Sequence, residues 1–88
     1  MKFEFDPSKS KSNKRKHGID FIEAQVLWDG TTTEIPLLTV DEPRWAVIGM
    51  IREVFWTAII TRRGENTTRI ISARRSRKEE KEIYEKQK

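Results

Sequence analysis

No cysteine occurs in the chain, and His17 is its single histidine. The first absence excludes disulfides and thiolate metal sites, and the second argues against a zinc centre. No apolar run is long enough to span a bilayer, and the opening "MKFEFDPSKS" lacks the hydrophobic stretch of a signal peptide. These absences predict a soluble, cytoplasmic protein with no metal, no cofactor and no membrane partner. Apolar residues are also scarce, at 35% against 36% charged, so a single domain over residues 1–88 has a thin core. Three tryptophans and four phenylalanines supply much of its apolar area.

What the chain does have is positive charge. Eighteen lysines and arginines face fourteen acids, a net charge of +4, and the pI is about 9.6, which favours an anionic partner. The cations fall in two blocks. One is Lys9, Lys11, Lys14, Arg15, Lys16 and His17; the other is Arg62, Arg63, Arg69, Arg74, Arg75, Arg77 and Lys78. A first helix lying across a sheet would bring the blocks together over one groove.

The elements follow from periodicity and punctuation. "KFEF" alternates and reads as an edge strand. Asp6 and Pro7 suit the N-cap and first position of a helix that ends at His17, with Gly18 as its left-handed stop. From Ser8 to Lys16 that helix has no apolar residue, so only its serines and lysine stems can pack. Asp20 and Glu23 have capping-box spacing ahead of a second helix, whose apolar face is Phe21, Ala24 and Trp28 with Val26 and Leu27. "EIPLLTV" is an edge strand weakened by Pro36. "RWAVIGMI" and "VFWTAIITRR" are central strands, "GEN" a turn, and "TTRIISA" the returning strand. From Arg75 onward a charged helix is expected, anchored by Ile83 and Tyr84, with Glu82 and Lys86 spaced to pair. The fold class is α+β: an antiparallel sheet of about four strands, two N-terminal helices and a C-terminal helix.

His17 is the residue best suited to general acid–base chemistry, since its ordinary pKa lies near neutrality. The competing assignment is a charge favourably placed at a helix C-terminus. A three-residue "GEN" loop sets Thr61 opposite Arg69 and Arg63 opposite Thr67 on one face, a grouping of guanidinium groups suited to a phosphodiester. Arg62 then points to the other face and is assigned to solvent or an acidic neighbour. Trp28, Trp45 and Trp56 are assigned to the core rather than to base stacking. The basic "ARRSRK" run is unfavourable as a first helical turn unless an anion lies nearby, which points to a phosphate or an acidic partner segment.

Several segments together resemble the BrnT toxins, the ribonuclease half of a bacterial type II toxin–antitoxin system. The matching residues are Phe5, Asp6 and Pro7, then Asn13, Lys16, His17 and Gly18, then Phe21 and Ala24. The closing match is Ile70, Ile71, Ser72, Ala73, Arg74, Glu82 and Tyr84. The resemblance implies a RelE-like fold, metal-free cleavage of RNA, and neutralisation by a ribbon-helix-helix antitoxin that binds operator DNA, in a hetero-oligomer. It implies His17, Arg63 and Arg74 as catalytic residues, with Lys16 and Thr61 beside them; Lys14, Arg69 and Arg75 complete the expected RNA contacts. One departure stands out. The family often has Thr-Glu-Arg-Gly at the strand end, where this chain has Thr61-Arg62-Arg63-Gly64. A basic binding module without chemistry is the alternative function.

Overall fold

The computed structural model describes residues 1–87. Strands β1 (Lys2–Glu4), β2 (Thr33–Leu37), β3 (Arg44–Ile51), β4 (Val54–Arg63) and β5 (Thr67–Arg75) form one sheet in the order β1-β5-β4-β3-β2. Two α-helices, α1 (Pro7–His17) and α2 (Lys78–Gln87), and a 3-10 helix, Glu23–Asp29, complete the chain. The sheet therefore has five strands rather than four. It is also mixed, because β1 runs parallel to β5 while the other pairs are antiparallel. The reason is connectivity: α1 lies between β1 and the rest of the sheet in sequence, so β1 reaches its edge without a hairpin.

α1 begins and ends as its sequence dictates. The Asp6 carboxylate accepts from the N–H groups of Ser8 (2.8 Å) and Lys9 (3.4 Å), and Gly18 takes φ +82° with its N–H on the Lys14 carbonyl at 2.9 Å. Its docking uses hydrogen bonds in place of apolar contact. β1 stops at Glu4, opposite Arg69, so the outer edge of β5 is bare beyond that point. The buried Asn13 side chain fills the gap: its amide nitrogen donates to the carbonyls of Ala73 and Ile19, both at 2.8 Å, and its oxygen accepts from the Ala73 N–H at 3.3 Å. The Ser10 hydroxyl, also buried, accepts the Phe21 N–H at 2.9 Å. These two side chains anchor an element with no apolar face.

The expected second α-helix is a 3-10 helix. Its buried residues are Ala24 and Leu27, and Phe21 in the turn just before it is buried too, which sets the three at intervals of three. That spacing matches three residues per turn, and Gly30 leaves too few residues to propagate a longer α-helix. The tighter winding turns Val26 outward (44% exposed) and leaves Ile22 at 66%, so Val26 is not part of the apolar face. The Asp20–Glu23 capping box does form, with reciprocal bonds of 2.9 and 2.7 Å. Gly49 of β3 lets this helix sit close, because a Cβ there would press on Leu27 Cδ2 at 3.1 Å and on the Thr31 carbonyl oxygen at 3.3 Å.

The main core lies between this helical layer and one face of the sheet, where Val47, Ala58, Ile60, Ile70 and Ala73 meet Ile19, Phe21, Ala24 and Leu27. Trp28, Trp45 and Trp56 are half-buried and pack against it, as assigned from sequence. α2 covers the other face through buried Tyr84, whose ring meets Phe55 edge-on at 5.3 Å. Ile83 is 36% exposed and anchors less than expected. Glu82 and Lys86 make no ion pair among the described residues.

Candidate functional site

The β4–β5 register places Thr61 opposite Arg69, Arg62 opposite Thr68 and Arg63 opposite Thr67 across the Gly64–Asn66 turn, the pairing expected from a three-residue loop. Further along, Ile59 faces Ser72 while Ile60 faces Ile70, so Ile71 is an extra residue that bulges β5. The bulge sets the local geometry. Beyond it Ser72 and Arg74 alternate regularly and share the α2 face of the sheet, with backbones about 7 Å apart.

At this bulge α1 and β5 form an open groove of roughly 360 Å³ lined by Lys9, Ser12, Asn13, Lys16, His17, Ile71 and Ser72. Its helical residues recur at i, i+3, i+4, i+7 and i+8, one stripe of an α-helix, here polar throughout. Lys16 and His17 make no ion pair among the described residues. Lys9, Lys16, His17 and the hydroxyls of Ser12 and Ser72 thus face one cleft with no carboxylate in its lining, an arrangement that attracts a phosphodiester.

The other expected site residues divide among different surroundings. Arg74 lies two residues past Ser72, but its guanidinium is clasped by Glu80 of α2 at 2.7 and 2.9 Å. Glu80 also accepts from the Thr57 hydroxyl (3.0 Å) and the Arg77 N–H (2.8 Å), and Thr57 is hydrogen-bonded to Ser76 at 2.7 Å. Burial opposes the charge on Glu80, yet the bonds from Arg74, Arg77 and Thr57 outweigh it and bring its pKa down to about 2. The same clasp raises Arg74 above its ordinary value.

Arg63 lies far from this end. Arg74 stands opposite Thr57, six positions before Arg63 on β4, which is about 20 Å of strand. One phosphate would require both side chains to stretch towards each other, and Arg74 is already held by Glu80. Of the expected catalytic residues, His17 lines the α1–β5 groove together with Lys16, while Arg74, two residues past Ser72, and Arg63 lie outside that lining.

Four expected RNA contacts are engaged elsewhere. Thr61 is 2% exposed and donates its hydroxyl to the Pro43 carbonyl at 2.7 Å, so it offers no free polar atom to a ligand. Arg69 pairs with Glu4 at 2.6 Å. Lys14 turns to the opposite side of α1 from Lys16 and pairs with Glu23 at 2.7 Å; its hydrogen bond, then that of the Asp20 N–H, lowers the Glu23 pKa. Arg75 lies on the far face of the sheet over Trp56, 5.6 Å from the ring centre. Arg62 pairs with Glu34 at 2.7 Å and stacks on Trp45 at 4.6 Å, in keeping with its assignment to an acidic neighbour.

The "ARRSRK" run is also resolved. Arg74 and Arg75 belong to β5, α2 starts at Lys78, and its first turn holds Glu79 and Glu80. The anion expected at this helix N-terminus is Glu80 itself, which removes the reason for placing an acidic partner segment there. Lys9 and Ser12 were missed as groove residues; the helical spacing of polar side chains was the signal that would have found them.

Residues 5–80 match the family described as "Ribonuclease toxin, BrnT, of type II toxin-antitoxin system". Among solved structures, the 1.1 Å crystal structure of the Brucella abortus ribonuclease toxin BrnT is similar, with a TM-score of 0.66 and 23% sequence identity. The match covers 89% of this chain and 99% of that one, and at this identity it establishes the shared fold. No protein of curated function matches the chain.

Proposed function

The chain belongs to the BrnT family of ribonuclease toxins of type II toxin–antitoxin systems, and from that premise we propose that the α1–β5 groove is its ribonuclease site. The observation that carries this reading is the placement of His17 and Lys16, without acidic partners among the described residues, in one cleft with Lys9 and Ser72. In the proposed reaction the RNA 2′-hydroxyl attacks the adjacent phosphorus, giving a cyclic phosphate and a free 5′-hydroxyl. His17 moves the proton, with Lys16 as the alternative group, and Arg74 stabilises the charge that grows on the phosphate. A lining of cations and neutral groups favours the phosphodiester over a divalent metal ion, so the acid–base work is assigned to side chains. Arg63 is assigned to a phosphate further along the strand.

The substrate is proposed to be mRNA, its cleavage inhibiting translation in the cytoplasm. The cognate antitoxin, proposed to be of ribbon-helix-helix type, would silence the toxin and carry any contact with operator DNA. Incubation of the purified protein with RNA and matched DNA in EDTA tests the chemistry. Cleavage of RNA alone is expected, since DNA lacks the attacking hydroxyl. Cleavage of both or of neither would rule the mechanism out.

A further inference from the structure

Arg74 presents a contradiction: it is assigned to a phosphate, yet it is held by a carboxylate. The resolution lies in which edge of the guanidinium is used. Nη1 donates to Glu80 Oε1 at 2.7 Å and, weakly, to the Arg75 carbonyl at 3.4 Å; Nη2 donates to Glu80 Oε2 at 2.9 Å. This is an end-on clasp through the two terminal nitrogens. The Nε–H and the second Nη2–H, which form the side-on edge, have no acceptor among the described residues. That pair is itself a two-pronged donor matching two phosphate oxygens. One guanidinium can thus hold Glu80 at its end and a phosphate at its side.

We propose that Glu80 is a positioning residue for the RNA site: its end-on clasp fixes Arg74 so that the side-on edge serves the phosphate. The inference rests on the assignment of the α1–β5 groove as the RNA site. Three features favour it over a purely structural ion pair. Glu80 is itself held by Thr57 and the Arg77 N–H, so the clasp is part of a hydrogen-bonded network and not a lone surface pair. The side chains of Arg74 and Glu80 are 20% and 12% exposed, which leaves the arginine partly open while the carboxylate is nearly covered. Arg74 also shares its sheet face with Ser72, which lines the groove.

The sign of one substitution separates this role from simple electrostatics. Removing a carboxylate near a phosphate site reduces repulsion, so charge alone predicts that Glu80→Gln binds RNA more tightly. Positioning predicts the reverse. The experiment measures affinity for a 2′-O-methyl RNA, which cannot be cleaved, together with thermal stability. Glu80→Gln is expected to weaken binding several-fold, by loss of part of a charged hydrogen-bond pair. Arg74→Lys keeps a cation beside Glu80 but has no second edge, and is expected to bind about tenfold more weakly than the wild type while remaining folded. Affinity that is unchanged or higher in a folded Glu80→Gln protein overturns the inference. If that variant does not fold, Arg74→Lys decides: wild-type affinity overturns the inference, because an Arg74 that makes no two-pronged contact with the phosphate needs no positioning. Because the probe is never cleaved, a wild type without ribonuclease activity would remove the catalytic reading and leave this comparison intact.

Discussion

Both α-helices reach β5 through polar side chains, α1 as its main docking and α2 beside the packing of Tyr84 on Phe55, but they treat the sheet's positive charge in opposite ways. α1 is anchored by neutral groups, the amide of Asn13 and the hydroxyl of Ser10, and its cations Lys16 and His17 are left facing a groove. α2 is anchored by a carboxylate, Glu80, which occupies the nearest cation, Arg74. A neutral anchor leaves the surrounding charge for a ligand. A charged anchor takes a charge out of circulation, unless the clasped group has a second edge to offer. Position in a basic run therefore says little about availability: Lys14 and Lys16 are two residues apart, and one is paired while the other lies in the cleft.

The comparison can be broken most severely at the groove. His17→Ala is expected to lower RNA cleavage by about 10²–10⁴-fold, the usual contribution of a general acid or base, with little change in RNA affinity. Gel-based cleavage assays and binding to a non-cleavable analogue check both halves. A loss of affinity equal to the loss of turnover would instead make His17 a binding group.

Next in size is the neutral anchor. Asn13→Ala leaves the Ala73 N–H, the Ala73 carbonyl and the Ile19 carbonyl without partners at a buried site. The expected cost is roughly 2–4 kcal/mol, a fall in Tm of about 10–25 °C in a thermal scan. Unchanged Tm would mean that α1 docks by other means.

The charged anchor is worth less and depends on pH. Glu80→Ala is expected to cost about 1–3 kcal/mol at neutral pH. The folded-state pKa of Glu80 lies below its ordinary 4.5, at about 2. Its stabilisation is therefore complete above about 4.5 and is lost as pH falls towards about 2. Denaturant titrations across that window should show the wild type converging on Glu80→Ala; parallel curves would contradict the assignment. The smallest effect belongs to the exposed Lys14–Glu23 pair, with side chains 50% and 48% exposed. Lys14→Ala should change stability by less than about 1 kcal/mol and leave cleavage nearly unaltered.

Much of this architecture was legible in the sequence because local chemistry decides it. Asp6, Pro7 and Gly18 bound α1, Pro36 marks an edge strand, and "GEN" fixes the pairing of Thr61 with Arg69. The 3-10 helix was not read because an apolar face at Phe21, Ala24 and Trp28 fits α-helical spacing, while the residues the core selects are Phe21, Ala24 and Leu27. The parallel placement of β1 depends on a long-range pairing that no local signal encodes. For the site, the sequence placed His17 and Lys16 at the end of a basic helix, where the structure has them. The resemblance grouped Arg63 with Arg74, and motif matching carries no strand length: six residues of β4 separate their positions. Thr61 was expected at the ligand and is a buried hydroxyl bound to a carbonyl, since nothing local reveals that Pro43 will lie within reach.

The central claim is that RNA is held at the α1–β5 groove and the Arg74 end of β5. Titration of the ¹⁵N-labelled protein with a 2′-O-methyl RNA, followed by backbone amide shifts, tests it most directly. Perturbations concentrated at residues 9–17 and 71–74 are predicted. A response concentrated at residues 61–69, around the Gly64–Asn66 turn, with residues 9–17 unaffected, would contradict it.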